Sequence, residues 1–228
     1  MLIGKHWFTT APKLPAFAEN ELLWHIYSER YGPLAANPAS KARLALPGQR
    51  AMFYLASSLD GALWETVLRG VVPDADRHVA ILERDLVGMR AIQVRRKVVN
   101  APLLDLSGAG LRMIFLQGSK ESVAVAALIA EPDHLKTHKA AERLFKSFKK
   151  AGVSEMPILS WVSRQHKGAI VYLAYEPPMD STWWETVGAP IALDDPGAGH
   201  DAIRQALASS NYHWAPAVTT ATVPGPSV

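Results

Sequence analysis

An arginine, a tyrosine and a glutamate, Arg43, Tyr54 and Glu65, follow one another at intervals of eleven residues around a Pro47-Gly48 turn. Arginine is a planar cationic fork for phosphate or carboxylate oxygens, tyrosine offers a ring face and a hydroxyl, and a carboxylate stabilises positive charge developing on a reacting carbon. Met52 to Ala56 alternates as a strand does, and Ser58 or Asp60 can cap a helix carrying Ala62, Leu63, Trp64 and Glu65. This strand-to-helix junction aims Tyr54 and Glu65 toward one end of a sheet. The plainer alternatives are a surface arginine beside Lys41, a core tyrosine and, at Ser163, an ordinary loop serine. Glu65, on an apolar helix flank beside Trp64, fits a plain role least.

Four further segments follow in a fixed order. They are Leu23-Trp24-His25-Ile26-Tyr27 with Arg30-Tyr31-Gly32-Pro33-Leu34-Ala-Ala-Asn37-Pro38, then Leu103-Leu104-Asp105-Leu106-Ser107, then Ile158-Leu-Ser-Trp161-Val-Ser163-Arg164-Gln165, then the apolar strand Ala169 to Tyr175. Together with the stretch from Arg43 to Glu65, this succession resembles the RES domain, a family named for its Arg, Glu and Ser residues and found mainly as bacterial toxins that destroy NAD. The likeness spans roughly residues 20 to 176.

The resemblance implies an α+β fold, a mixed and split sheet flanked by helices, related to the ADP-ribosyltransferase toxins. Periodicity alone supports only a mixed α/β or α+β class. It also implies a type II toxin that binds NAD as substrate and cleaves its nicotinamide–ribose bond, with water, phosphate or a protein as acceptor. An Xre-like antitoxin is the implied partner. Cleavage of that bond passes through a ribosyl cation like the one in glycoside hydrolysis. On this pattern Arg43 grips phosphate or ribose, Tyr54 packs on the nicotinamide side, Glu65 stabilises the cation and Ser163 adds a hydroxyl. Trp161 and Arg164 flank them, and His25, Tyr27 and Arg30 complete the binding set.

One position departs from the family. Where a run such as Trp-Arg-Ile is usual, with an arginine that the resemblance assigns to the dinucleotide, this chain has His25. A neutral imidazole can donate one hydrogen bond but does not replace a bidentate, permanently charged guanidinium. Arg30, five residues on, is the candidate substitute. The alternative reading is a degenerate RES domain that binds a nucleotide or a protein partner without turnover.

Composition bounds the rest. With 228 residues, 49% hydrophobic and 20% charged, the chain is long enough for one folded domain plus a tail. It contains no cysteine, which removes disulfides, thiolate catalysis and sulfur-ligated zinc. The longest apolar run, Val123 to Ala130, falls far short of the roughly 20 residues that span a membrane, so a cytoplasmic location without membrane contact is expected. A net charge of +3 is too small to argue for nucleic acid.

Along the chain, an irregular lead-in (1–19) precedes the RES-like region (20–180) and a C-terminal extension (181–228) with a frayed end. Val87 to Val99 reads as a half-exposed strand with a solvated basic face. A helix beginning at Ser119 is expected to bury Val123, Val125, Ala126, Leu128 and Ile129. Another, Thr137 to about Ala151, packs Ala141, Leu144, Phe145 and Phe148 and ends at Gly152. Its basic stripe, Lys139, Arg143, Lys146 and Lys150, reads as a solvated face, with no direct nucleic-acid binding expected. Asp201 to Ala208 shows a short helical pattern. Ser107-Gly108-Ala109-Gly110 reads as a turn, lacking the third glycine of a dinucleotide fingerprint. His134 and His138 have helical spacing but lack the glutamate of the metalloprotease motif, and no metal is expected.

Overall fold

Strand β1 (Leu22–Ser28) leads into an irregular stretch and then β2 (Ala51–Ala56), which turns directly into α1 (Leu59–Glu65). There follow β3 (His78–Ala80), β4 (Met89–Arg96), β5 (Leu103–Asp105) and three helices in succession, α2 (Gly108–Ile114), α3 (Lys120–Ala130) and α4 (His134–Lys150). The order continues through β6 (Ile158–Val162), β7 (Ile170–Glu176), β8 (Trp184–Ala192), α5 (Ala198–Ala208) and β9 (His213–Ala215). The computed structural model describes residues 7–8, 10–17, 20–97, 101–153 and 155–215. The tail expected to fray, Thr219 to Val228, lies outside them.

Seven strands form one sheet in the order β5-β6-β7-β2-β1-β4-β8. Every neighbouring pair in it is antiparallel except β5 and β6, which are parallel. This is the mixed sheet of the expected α+β class. Side chains alternate between its faces. Met52 of β2 and Leu159, Val171 and Leu173 of β6 and β7 join the core beneath α3 and α4, whereas Phe53, Leu55, Ile158 and Tyr172 join a second core on the other face with Phe17 and Trp184. A third cluster packs α1 and α5 over Ile26, Ala56 and Ala91.

The sheet is split at its centre. β1 and β4 pair along seven residue positions, from Leu22↔Arg95 to Ser28↔Met89, but β1 and β2 pair only at Trp24↔Ala56. Beyond that point β7 is the only strand paired with β2, Met52 is bridged to Asn37 of the preceding irregular stretch, and the gap opens between His25–Tyr27 and Met52–Tyr54.

Several sequence expectations are corrected. The basic face of β4 is only partly solvated, because its arginines are drawn into ion pairs or, at Arg96, buried. Arg90 pairs with Glu29 and Asp194, each at 2.7 Å, Arg95 pairs with Glu185, and Arg96 is buried over the Phe17 ring. In α3 only Ala124 and Val125 are buried. Val123 and Ala126 are exposed, since the helix rests on its neighbours along a narrow stripe. Ser107 is the N-cap of α2 rather than part of a free turn, with Gly110 packed so tightly on Asp105 that a side chain there would clash with its backbone. α4 starts three residues early, capped by the Asp133 side chain on the Leu135 N–H. It ends as expected, with Gly152 at φ +80°.

The lead-in and the C-terminal stretch are both built into the cores. Trp7 and Phe17 are buried, β8 is the sheet's edge beside β4, and α5 carries Ile203, Ala206 and Leu207 against α1.

Candidate functional site

Glu65 is the last residue of α1, a helix of under two turns whose start is fixed by Ser58, the side chain of which accepts from the Gly61 N–H at 3.1 Å. Gly61 is required by packing. A Cβ there would lie 2.3 Å from the Ala169 side chain, so only glycine lets α1 approach the β6–β7 connection this closely. The back of the helix is anchored by Trp64, whose indole N–H donates to the Ala206 carbonyl of α5 at 3.0 Å. Residues far beyond the motif thus set where Glu65 points.

Ser163 follows β6 directly. Its N–H donates to Ala169 O, closing the β6–β7 connection, and its hydroxyl accepts from the N–H groups of Gln165 (3.2 Å) and His166 (2.9 Å). With the oxygen's lone pairs engaged, its proton is directed to Glu65 Oε1, 2.6 Å away. The Tyr54 hydroxyl donates to the other carboxylate oxygen, Oε2, at 3.2 Å. Both oxygens of Glu65 are therefore oriented by hydroxyls, one from β2 and one from the residue that follows β6.

Tyr54 is held by its own surroundings. Its ring meets the buried Trp161 edge-on, with centroids 5.9 Å apart. Burial, reinforced by the Glu65 charge, pushes its phenol well above the ordinary value, so the hydroxyl stays a donor. Its carbonyl lies at the split in the sheet, where β1 no longer runs alongside, and His25 Nδ1 bonds it at 2.8 Å. Because a carbonyl can only accept, the proton sits on Nδ1. His25 is buried, stacks on Tyr27 and packs on Phe53. Burial lowers its pKa to about 4 against the opposing effect of that hydrogen bond, which leaves it neutral, and its Nε2 has no partner among the described residues.

Two cavities meet at Glu65. The first, about 320 Å³, occupies the split in the sheet and is walled by His25, Tyr27, Tyr54, Met52 and uncharged residues of the 31–42 segment, with Glu65 the only ionised side chain on its wall among the described residues. The second, about 290 Å³, is lined by Arg43, Arg69 and Arg164 with His134, Gln165, Gly70 and Glu65. One side of the carboxylate is aromatic and the other strongly cationic.

The cationic side is built around the C-terminal end of α3. Arg43 donates to the carbonyls of Leu128 (3.1 Å) and Glu131 (2.6 Å), and Arg164 donates to Ala130 O at 2.8 Å. Both guanidiniums thereby satisfy orphan helix-end carbonyls while facing the cavity. Burial, with the charges of Arg164 and Arg69, pulls Arg43 below the ordinary arginine value, while Tyr54 and Glu65 oppose this. The segment bearing Arg43 is fastened to α4 by Leu44 N–H on Thr137 Oγ1 (3.2 Å) and by His138 Nε2 on Ala42 O (3.0 Å). His134 Nδ1 donates to Lys41 O at 2.9 Å, which leaves its Nε2 lone pair for the Arg69 guanidinium. The two histidines weighed as metal ligands thus tie this loop to the helix.

Of the residues singled out from the sequence, Arg43, Tyr54, Glu65, Ser163 and Arg164 converge, and His25 and Tyr27 line the aromatic cavity. Trp161 touches neither cavity and supports Tyr54 from the core. Arg30 lies in the exposed turn after β1 with its guanidinium over the Tyr31 ring, and lines neither cavity. Arg69 and His134 were missed as ligand-facing groups. Arg69 stands four residues after Glu65, but α1 has ended by then, so no helical spacing announced it.

A family model described as the RES domain matches residues 22–183. No curated protein matches the sequence significantly. Among solved structures, a chain in the crystal structure of the M. tuberculosis MbcT-MbcA toxin-antitoxin complex superposes with a TM-score of 0.51 at 12% identity, covering 78% of this chain and 87% of that one. An identity this low speaks for the fold alone. With the family model matching residues 22–183, well over half of its length, the chain belongs to the RES domain family.

Proposed function

We propose that this protein is a toxin of the RES family that binds NAD and cleaves its nicotinamide–ribose bond. The observation carrying this is the position of Glu65, with both oxygens fixed by Tyr54 and Ser163, at the seam between an aromatic cavity and one bearing three arginines. NAD has that polarity. Its pyrophosphate is the anionic part for Arg43, Arg69 and Arg164, and its nicotinamide, a cationic ring, is repelled by those arginines and suits the side of Tyr54 and Tyr27.

The scissile C1′–N bond then lies beside Glu65. As it breaks, the electron pair leaves with the nicotinamide nitrogen, which becomes neutral, and positive charge grows on the ribose carbon. A carboxylate already oriented by two hydroxyls stabilises that charge without reorganising. Water or phosphate supplies the new C1′–O bond and releases any proton to solvent. Depletion of NAD is the proposed toxic outcome, and an antitoxin is the proposed partner, by likeness to the toxin–antitoxin complex of similar fold, with its Xre-like character drawn from the family resemblance.

A second reading, nucleotide binding without turnover, is favoured by His25, a neutral side chain where the family's arginine is usual. The two separate on incubating the purified chain with NAD, in phosphate and in phosphate-free buffer, and separating the products. Free nicotinamide with ADP-ribose means hydrolysis, and a phosphorylated ADP-ribose means phosphorolysis. Saturable NAD binding with no nicotinamide released in either buffer would overturn the proposal in favour of the second reading.

A further inference from the structure

The net charge of +3 conceals how charge is distributed over the fold. Helix α4 carries six cations, Lys136, Lys139, Arg143, Lys146, Lys149 and Lys150, against Glu142 alone, so its charge is +5 and the rest of the chain sums to −2. At 3.6 residues per turn, Lys139, Arg143, Lys146 and Lys150 fall within about 60° of one another, opposite the buried Thr137, Ala141, Leu144 and Phe148. Elsewhere Arg90, Arg95, Lys136 and Arg204 are taken up in ion pairs. Lys139, Lys146, Lys149 and Lys150 are exposed and have no carboxylate partner among the described residues. Arg50, just before β2, widens the surface, with its guanidinium over the Phe145 ring, 5.1 Å from the centroid, in a hollow that it shares with Lys149.

From this arrangement we infer that the outer face of α4 is a docking surface for the phosphate backbone of a nucleic-acid duplex, bound without regard to base sequence. The expectation of no nucleic-acid contact rests on net charge, to which this separation of charge makes net charge a poor guide. Lys139 to Lys150 span roughly 16 Å of helix. A row of that length runs beside about five phosphates of one strand, spaced about 3.4 Å along the duplex axis. The make-up of the face favours nucleic acid over an acidic protein. Protein interfaces place aromatic and apolar side chains at their centre and are depleted of lysine, whereas the centre of this stripe is cationic throughout and Phe145 lies at its flank beneath Arg50. Interfaces with nucleic acid are much the more positively charged kind. Contacts to phosphate fix position and carry no sequence information, so no base preference follows.

Fluorescence anisotropy of a short labelled DNA duplex of mixed sequence, titrated with the purified chain between about 50 and 200 mM salt, tests this. With four lysines neutralising phosphates, log K is expected to fall against log salt with a slope of about −3 to −4. Lys146→Glu with Lys150→Glu, both exposed, is expected to make the slope shallower by about 2 and to weaken binding at least tenfold at about 50 mM salt. Lys97→Glu with Lys167→Glu makes the same change of charge at exposed positions off α4 and is expected to weaken binding less than threefold. Equal losses in the two double variants would reduce the effect to net charge and overturn the inference, as would no binding by wild type at about 50 mM salt. Polyglutamate bound as tightly as the duplex would also overturn it, and would give the face to an acidic protein instead.

Discussion

The Ser163 hydroxyl reaches Glu65 Oε1 at 2.6 Å across 98 residues of sequence, while Ser163 Oγ itself accepts from two backbone N–H groups. Ser163→Ala removes the donor to Glu65 and strands the N–H groups of Gln165 and His166. We expect a loss of about 1–3 kcal/mol in stability, read by chemical denaturation, together with a fall in kcat of about tenfold or more. A purely structural serine would show the first effect without the second.

Tyr54→Phe keeps the ring against Trp161 and removes only the hydroxyl on Glu65 Oε2. Stability is expected to stay within about 1 kcal/mol of wild type while kcat falls. Since burial holds the phenol well above its ordinary value, the wild-type pH–rate profile is expected to show no loss from Tyr54 ionisation as pH rises to about 10. An alkaline limb present in wild type and absent in Tyr54→Phe would contradict this.

The arginines are expected to divide by their bonds. Arg43 is buried and holds two carbonyls at the end of α3, so Arg43→Met is expected to cost about 1.5–3 kcal/mol of stability as well as activity. The Arg69 guanidinium is fastened to the His134 ring. Arg69→Ala is expected to raise KM for NAD at least fivefold with stability nearly unchanged. Thermal melts and initial rates on the same preparations check both.

His25 links the split sheet to pH. Its folded pKa of about 4 lies below the unfolded value of 6.5, so the unfolded chain binds more protons between those limits. The stability it contributes is complete above about pH 6.5 and is lost as pH falls toward 4, by an amount on the order of 3 kcal/mol. His134, also lowered by burial and by Arg69 and Arg43, acts in the same direction. Denaturation curves at pH 4.5 and 7.5 are expected to differ less for His25→Leu than for wild type, and identical differences would refute the assignment.

Strand β2, helix α1 and the long amphipathic α4 were legible because each is written locally, in alternation, an N-cap and a 3.6-residue stripe. The convergence of Arg43, Tyr54, Glu65 and Ser163 was legible only through the ordered family motifs, since no local pattern states that residues 65 and 163 touch. What stayed hidden is tertiary. Val123 in α3 looks like core but faces outward, because the helix packs along a stripe narrower than its apolar surface. The arginines of β4 look free in the sequence, yet Arg90 and Arg95 are ion-paired to carboxylates from residues 29, 185 and 194. The use of Ala206 to hold Trp64, and so Glu65, had no signal at all in the sequence.

Single-turnover cleavage of saturating NAD by wild type and by Glu65→Gln is the most direct test of the central claim. The account predicts nicotinamide release by wild type and a rate lower by roughly 10²–10³-fold in the variant, with NAD affinity within about threefold of wild type. A Glu65→Gln protein that cleaves NAD within tenfold of the wild-type rate would show that the charge on the ribose is stabilised elsewhere, and would contradict the account.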